Sequence, residues 1–389
     1  MQILACHNRY AVRGGEDIAF DAAVALWRAG GHTVHTVERS NAVLAQGGTA
    51  ARLAGARRAV FDTDVAAEVA FAARQERPDV AVVQNTFPRL SFAPYEALSA
   101  LGIPVVQVLY NYRYLCLNGE LYTRGAICER CAGGNYWHGV LRRCYRDSFV
   151  GSLVAARVAR ANRRREIWRR DVRLYVVPDR FMAQKLASYG LPAERFRVVP
   201  NAVEPRDAPT PLTHDGTLLY VGRWSRAKGV LTLLDAAMSP AMPAITMVGD
   251  GPARHLVASH AAIRERRVVL AAPEYGDALW QRLARVAAVV VPSQWYDNLP
   301  MVVCQAFVAG RPVIASRING IPEYVRDGVN GLLVEPGDVE GLRRAMQEIV
   351  RDRERWESMA IAARGTAQRE FGPDLWVERW NAVFAETRP

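Results

Sequence analysis

Leu218-Leu219-Tyr220-Val221-Gly222-Arg223-Trp224-Ser225-Arg226-Ala227-Lys228-Gly229-Val230 reads as a β-strand, a basic loop and the start of a helix. This is one βα unit of a parallel sheet, and in open α/β sheets ligands gather at the carboxyl ends of the strands. Arg223 and Lys228 lie on the loop leaving that end, where a diphosphate can receive a bidentate guanidinium and a compact ammonium together. Lys228 is one of only two lysines, with Lys185, among 50 basic residues, so its position weakens a reading as solvated surface charge.

Outward from this unit, short β-branched runs alternate with longer stretches at helical spacing. The first half offers strands at 1–7, 33–38, 79–85, 104–110, 173–178 and 195–200. The second half offers 218–222, 245–249, 267–271, 287–292, 312–316 and 331–334. Residues 204–216 between the two sets are rich in Pro, Asp and Thr with little apolar periodicity, as an interdomain linker is. The expected class is α/β, with two Rossmann-like, doubly wound domains facing a central cleft. Residues 1–203 form the first domain, with a Cys-rich insertion at 112–146, and residues 217–373 form the second. A last helical segment at 374–389 is expected to cross back to the first domain.

Composition bounds the function. With 389 residues, 50% hydrophobic and 23% charged, the chain can bury a sizeable core, which excludes a disulfide-stapled mini-protein and wholesale disorder. No run approaches the ~18–20 apolar residues of a membrane span, and Cys6-His7-Asn8-Arg9 interrupts the N-terminus too early for a signal peptide. The net charge is +11, and residues 142–173 alone carry eleven arginines against Asp147, Glu166 and Asp171. Nucleic acid, an anionic membrane face and an acidic substrate are the partners such a surplus suits.

Two further segments carry chemistry. After the first strand, Arg13-Gly14-Gly15-Glu16-Asp17 opens a helix whose free N–H groups suit an anion, although a plain βα connection explains the same residues. The G-x-G-x-x-G fingerprint is absent, which argues against a dehydrogenase. Residues 291–316 run strand, polar loop with Asp297 and Asn298, helix with Gln305, Gly310 stop and strand.

In order and spacing these segments resemble the bacterial retaining glycosyltransferases of family 4, which have the GT-B fold. The likeness spans nearly the whole chain. It rests on 13–17, Val199-Pro200-Asn201, Gly222-Arg223 with Lys228-Gly229, and Val248-Gly249-Asp250-Gly251-Pro252. It continues through Pro292-Ser293, Ala309-Gly310-Arg311-Pro312-Val313, Gly320-Ile321-Pro322-Glu323 and Gly328-Val329-Asn330-Gly331. The resemblance implies sugar transfer from a nucleotide-diphosphate donor with retention and without a catalytic metal. It places the nucleotide on the C-terminal domain and the acceptor on the N-terminal one. Arg223 and Lys228 would hold the diphosphate, with Gly14 and Gly15 capping it, Asp297 on the sugar, Gln305 on the ribose, and Asn319 and Glu323 on a nearby loop. Asn85, Tyr110 and Asn111 would line the acceptor or donor-sugar side.

The chain departs from the family at three of these positions. The Glu-x7-Glu pair is here Asp297 and Gln305, and the usual His-Asn is Tyr110-Asn111. Gln keeps an acceptor oxygen but loses charge, so its bonds to ribose hydroxyls have about half the strength of a carboxylate's. Tyrosine, with a pKa near ~10, cannot replace histidine in proton transfer at neutral pH. Donor-side cations should then dominate, stabilising charge as the phosphate leaves.

Cys116, Cys128, Cys131 and Cys144, spaced C-x11-C-x2-C-x12-C, suit a structural zinc held by thiolates, with free thiols as the alternative. Between Leu153 and Trp168, arginines alternate with small apolar residues, the pattern either of a basic helix resting on an anionic membrane or of a solvated face. His7, Asn85 and Asn201 are expected at strand ends. The expected protein is a cytoplasmic glycosyltransferase, soluble or peripheral on the inner membrane face. It would act in polysaccharide, lipopolysaccharide or exopolysaccharide synthesis on a lipid-linked acceptor. The alternatives are a soluble natural-product acceptor of the aminoglycoside type, or a catalytically impaired partner subunit. Nucleic acid is disfavoured because the charge is confined to one stretch without interleaved stacking aromatics.

Overall fold

The computed structural model describes every residue except Gly47, Gly48, Pro205, residues 207–211 and Pro389, with the backbone alone at 45, 46 and 49–53. Internal packing divides the chain into two units. The first comprises residues 1–121, 128–199 and 376–389, and the second comprises residues 122–127 and 200–375. Much of the expected linker, Pro205 and 207–211, lies outside the described residues.

In the first unit the strands are β1 (Gln2–Arg9), β2 (Thr33–Ser40), β3 (Val80–Val83) and β4 (Val105–Val108). A two-residue-stranded hairpin follows, β5 (Tyr122–Thr123) with β6 (Ala126–Ile127), and is grouped with the second unit. Then come β7 (Leu174–Val177) and β8 (Phe196–Val198). The sheet runs β2-β1-β3-β4-β7-β8, all parallel. β3, β4 and β7 are buried at every position, which is why they read as apolar runs, broken only by Gln107 in β4, instead of alternating ones. The helix Gly15–Ala29 buries Phe20, Ala23, Val24 and Trp27, the i, i+3, i+4, i+7 spacing of one helical face. Trp27 receives Trp376, Trp380 and Phe384 of the last helix, Pro373–Ala385, at ring-centroid distances of 5.8, 4.9 and 6.1 Å.

In the second unit the strands are β9 (Leu218–Val221), β10 (Ile245–Val248), β11 (Val268–Ala271), β12 (Ala288–Val291), β13 (Val313–Ser316) and β14 (Gly331–Val334). Their order, β11-β10-β9-β12-β13-β14, is again wholly parallel and is doubly wound about β9. The order reverses between β9 and β12, where Leu219 pairs with Val289, and a crevice at such a reversal is where this architecture binds ligands. Arg311, fully buried, donates to the carbonyls of Thr213, Ala284 and Val286, tying the residues before β9 and β12 together. Burial lowers its pKa to about 10. All twelve expected strands form; the hairpin β5–β6 was not foreseen, because two-residue strands carry no periodicity. Among the described residues no helix is long and apolar enough to cross a membrane.

Candidate active site

At the carboxyl end of β9 the chain reaches Lys228 through a single 3-10 turn, Arg226–Lys228, capped by Ser225. Gly229 then adopts φ +68°, and a β-carbon there would lie 1.7 Å from the Pro292 carbonyl oxygen. Glycine is therefore required where the loops after β9 and β12 touch. The contact brings one basic and one acidic group together. Lys228 Nζ donates to both Asp297 oxygens, at 2.8 and 2.7 Å, and the Ser293 hydroxyl donates to Oδ2 at 2.7 Å. Asp297 and Ser293 are buried, whereas the Lys228 side chain keeps 22% of its surface exposed. The Trp295 ring lies 5.4 Å from the ammonium and supplies a cation–π partner.

A third loop, after β10, lies backbone against backbone on the segment that carries Arg223. Gly222 N–H donates to Val248 O at 3.1 Å, and Trp224 N–H to Asp250 O at 2.9 Å. A β-carbon on Gly249 would fall 2.1 Å from the Gly222 oxygen. The Tyr220 hydroxyl donates to the Arg223 carbonyl at 2.9 Å, which fixes the loop from below. Around this centre the Gln294 amide donates to Thr232 Oγ1 at 2.6 Å. Asn319, at φ +57°, donates to Asn298 Oδ1 at 3.2 Å. Glu323 stands in the first turn of the helix Ile321–Tyr324. Gln305 is half-buried on the helix Met301–Val308, its side-chain amide without a hydrogen bond among the described residues. The second unit thus gathers Arg223, Lys228 and Asp297 at one strand reversal. Ser293 was missed as an individual residue, although its Pro292-Ser293 motif pointed to this loop.

The first unit builds a separate polar group at the carboxyl ends of β1 and β3. Asp17, buried in the first turn of Gly15–Ala29, accepts from His7 Nε2 (2.9 Å), Tyr10 N–H (3.2 Å) and Gly14 N–H (3.0 Å). It therefore sets the shape of the loop from Tyr10 to Gly14. Glu16 accepts from the Tyr10 hydroxyl at 2.8 Å and from Asn111 Nδ2 at 2.7 Å. Gly14 has φ −121° and Gly15 is not among the positive-φ glycines; a β-carbon on Gly14 would meet only Tyr10, at 3.7 Å, and one on Gly15 nothing within 4 Å. The turn thus owes its shape to Asp17 and not to glycine torsions. Burial pushes the Tyr110 hydroxyl well above its ordinary pKa, further from any role as a base. Two expectations are corrected. Asn85 spends its amide on backbone, donating to Asn8 O at 2.6 Å and accepting from Phe87 N–H at 3.2 Å, so it joins two loops and is not open to a ligand. His7 lies within β1, fully buried and stacked on Phe20 at 4.5 Å.

The four clustered cysteines stand as thiols. Cys116 S–H donates to Asn118 Oδ1 at 2.9 Å, and burial, with the charges of Cys116, Cys144 and Cys128 nearby, pushes the Cys131 thiol up to about 12. Among the described residues no three His, Cys, Asp or Glu side chains are grouped to hold a metal ion.

Residues 14–202 match the family described as glycosyl transferase 4-like domain, and residues 215–352 match glycosyl transferases group 1. The chain is 31% identical to the lipopolysaccharide core biosynthesis glycosyltransferase LpsE of Rhizobium meliloti, over 46% of this chain and 51% of that protein. It is 25% identical to the alpha-D-kanosaminyltransferase of Streptomyces kanamyceticus, over 69% and 67%. Exopolysaccharide phosphotransferase SCO2592 of Streptomyces coelicolor is 29% identical over 55% of this chain and 23% of its own length. The chain thus spans about half or less of the length of the first curated relatives that it matches. In structure it is similar to Anabaena Alr3699/HepE in complex with UDP-glucose, with a TM-score of 0.71 at 17% identity, covering 99% of both chains. That likeness establishes the GT-B fold.

Proposed function

We propose that this chain, which belongs to the glycosyl transferases through the two domains it matches in order, moves a sugar from a nucleotide-diphosphate donor to a hydroxyl acceptor. The observation that carries the reading is the convergence of Arg223, Lys228 and the Gly249–Gly251 loop at the strand reversal of the second unit, where a diphosphate finds cations and close backbone. Lys228 has a third N–H beyond the two given to Asp297, and it points the charge that stabilises the departing phosphate. Asp297 is occupied by Lys228 and Ser293, so it orients the ammonium instead of attacking the sugar. Transfer with retention then proceeds without a protein nucleophile at Asp297, the leaving phosphate taking the acceptor proton. Gln305, with an uncommitted amide, is assigned to the nucleotide ribose, and Asn319 and Glu323 to the adjoining loop.

The acceptor is assigned to the first unit, where Tyr10, Glu16 and Asn111 present a hydrogen-bonded polar surface. A lipid-linked polysaccharide or lipopolysaccharide intermediate is the preferred acceptor, in keeping with the relative from Rhizobium meliloti. A soluble aminoglycoside-type acceptor is the second reading, favoured by the match to the kanosaminyltransferase along two thirds of both chains. The test is thermal denaturation of the full chain with a panel of nucleotide sugars, since a ligand bound only to the folded state raises Tm. One nucleotide sugar is expected to raise Tm and to be consumed when acceptor is added. No shift with any of them would overturn the reading.

A further inference from the structure

We propose that the helices Trp137–Leu141 and Phe149–Arg165 form a surface that docks the protein on an anionic lipid bilayer. Among the described residues thirteen large apolar side chains are exposed, and five of them, Trp137, Leu141, Phe149, Val150 and Leu153, fall within residues 137–153. Trp137 and Leu141 are one turn apart on the shorter helix, which packs against the longer one. On the longer helix the exposed positions continue from Leu153 through Arg157, Arg160 and Arg164, while Ser152, Ala155, Val158 and Asn162 are buried on the other side. Steps of four, three and four residues keep that exposed series on one face. The outward face is therefore apolar over its first turn and cationic along the rest.

No counter-charge accompanies it. Residues 137–165 contain eight arginines and a single acid, Asp147, and among the described residues Arg157, Arg160 and Arg164 make no ion pair. A solvated helix needs no exposed Trp, Leu and Phe, and an apolar protein interface needs no run of unpaired cations beside it. A bilayer surface uses both, taking aromatic and aliphatic tips into the headgroup boundary and guanidinium groups onto lipid phosphates. Trp168, expected from the sequence to take part, is buried against Tyr114 at 5.3 Å and does not.

The experiment is co-sedimentation of the full chain with phosphatidylcholine vesicles, with and without phosphatidylglycerol, and with no sugar donor present. Because no transfer is measured, its outcome is separate from that of the proposed reaction. Binding is expected only to the phosphatidylglycerol vesicles and is expected to weaken as salt rises. The triple variant Arg157→Glu, Arg160→Glu, Arg164→Glu and the double variant Leu141→Asp, Phe149→Asp should each lower the bound fraction by about tenfold or more. Both changes fall on exposed positions, and unchanged Tm confirms folding. The proposal is overturned if the wild-type chain stays in the supernatant or if both variants sediment as it does. It is equally overturned if light scattering shows a dimer that the double variant abolishes while vesicle binding persists, which would assign the patch to a second copy.

Discussion

Lys228 has three N–H donors, and Asp297 takes two of them. The pair fixes one charge in place: Ser293 holds the carboxylate, the carboxylate holds the ammonium, and the remaining donor is the one proposed to meet the phosphates of the sugar donor. Lys228→Ala is expected to lower transfer by roughly 10²–10³-fold, the loss typical of one transition-state donor. It should also cost modest stability, because Asp297 is left buried with Ser293 as its partner. Wild-type turnover by that variant would sink the assignment, and Lys185→Ala, which removes an ion pair with Glu129 and a cation–π contact with Phe181, serves as its control. His7 makes a different prediction. Burial lowers its pKa below the ordinary 6.5, outweighing the hydrogen bond to Asp17 that raises it. Above pH ~7.5 the folded and unfolded chains both hold it neutral; below ~6.5 the unfolded chain takes up a proton that the folded one refuses. Stability therefore falls as pH drops through that window, by at most about 1.4 kcal/mol per pH unit for this group. His214, lowered chiefly by burial and then by Arg311, adds to the same trend. Urea midpoints of His7→Gln measured between pH 5.5 and 7.5 should fall less steeply than those of the wild type; parallel curves would remove His7 as the cause.

At the scale of elements, the loop after β10 works through backbone contact. Gly249, at φ +146°, lies so close to Gly222 that its β-carbon would sit 2.1 Å from a carbonyl oxygen, which has nowhere to move without breaking the bond from Gly222 N–H to Val248 O. Gly249→Ala is expected to lower Tm by several degrees and to weaken nucleotide-sugar binding more than tenfold, whereas Gly15→Ala, with nothing within 4 Å, should leave Tm nearly unchanged. Equal effects of the two, read by thermal denaturation with and without donor, would show that close approach is not what the loop requires. The same contrast marks how much the sequence discloses. β-branched runs announce β3, β7 and β12 because strands buried on both faces are almost wholly apolar. Arg223 and Lys228 are legible because a strand end is a predictable place. The pairing of Lys228 with Asp297 is not, since it joins residues 69 positions apart through the register of β9 beside β12. Nor is the role of Asp17, a helix-opening acid whose partners are chosen by the folded loop.

For the whole molecule, the consequential feature is that the first unit is not continuous in sequence. Its last piece, residues 376–389, arrives only after the second unit has been completed. Trp376, Trp380 and Phe384 are buried there, with the Trp380 ring edge-on to Trp27 at 4.9 Å, and Arg197 of the edge strand β8 pairs with Glu386. Removing the segment opens the helix Gly15–Ala29 on the side that carries Trp27. That helix also supplies Asp17 and Glu16, so the loss should spread to the Tyr10–Gly14 loop. Trp380→Ala is expected to destabilise by about 3–5 kcal/mol, the usual cost of truncating a buried tryptophan. The effect should be confined to the first unit, because the Lys228–Asp297 pair and the Gly249 loop draw no residue from 376–389. Calorimetry of the full-length variant should therefore show an early transition brought down in temperature and a later one that still rises with nucleotide sugar. A single transition lowered as a whole, with the ligand response lost, would mean that the two units do not unfold separately and that the terminal helix supports both.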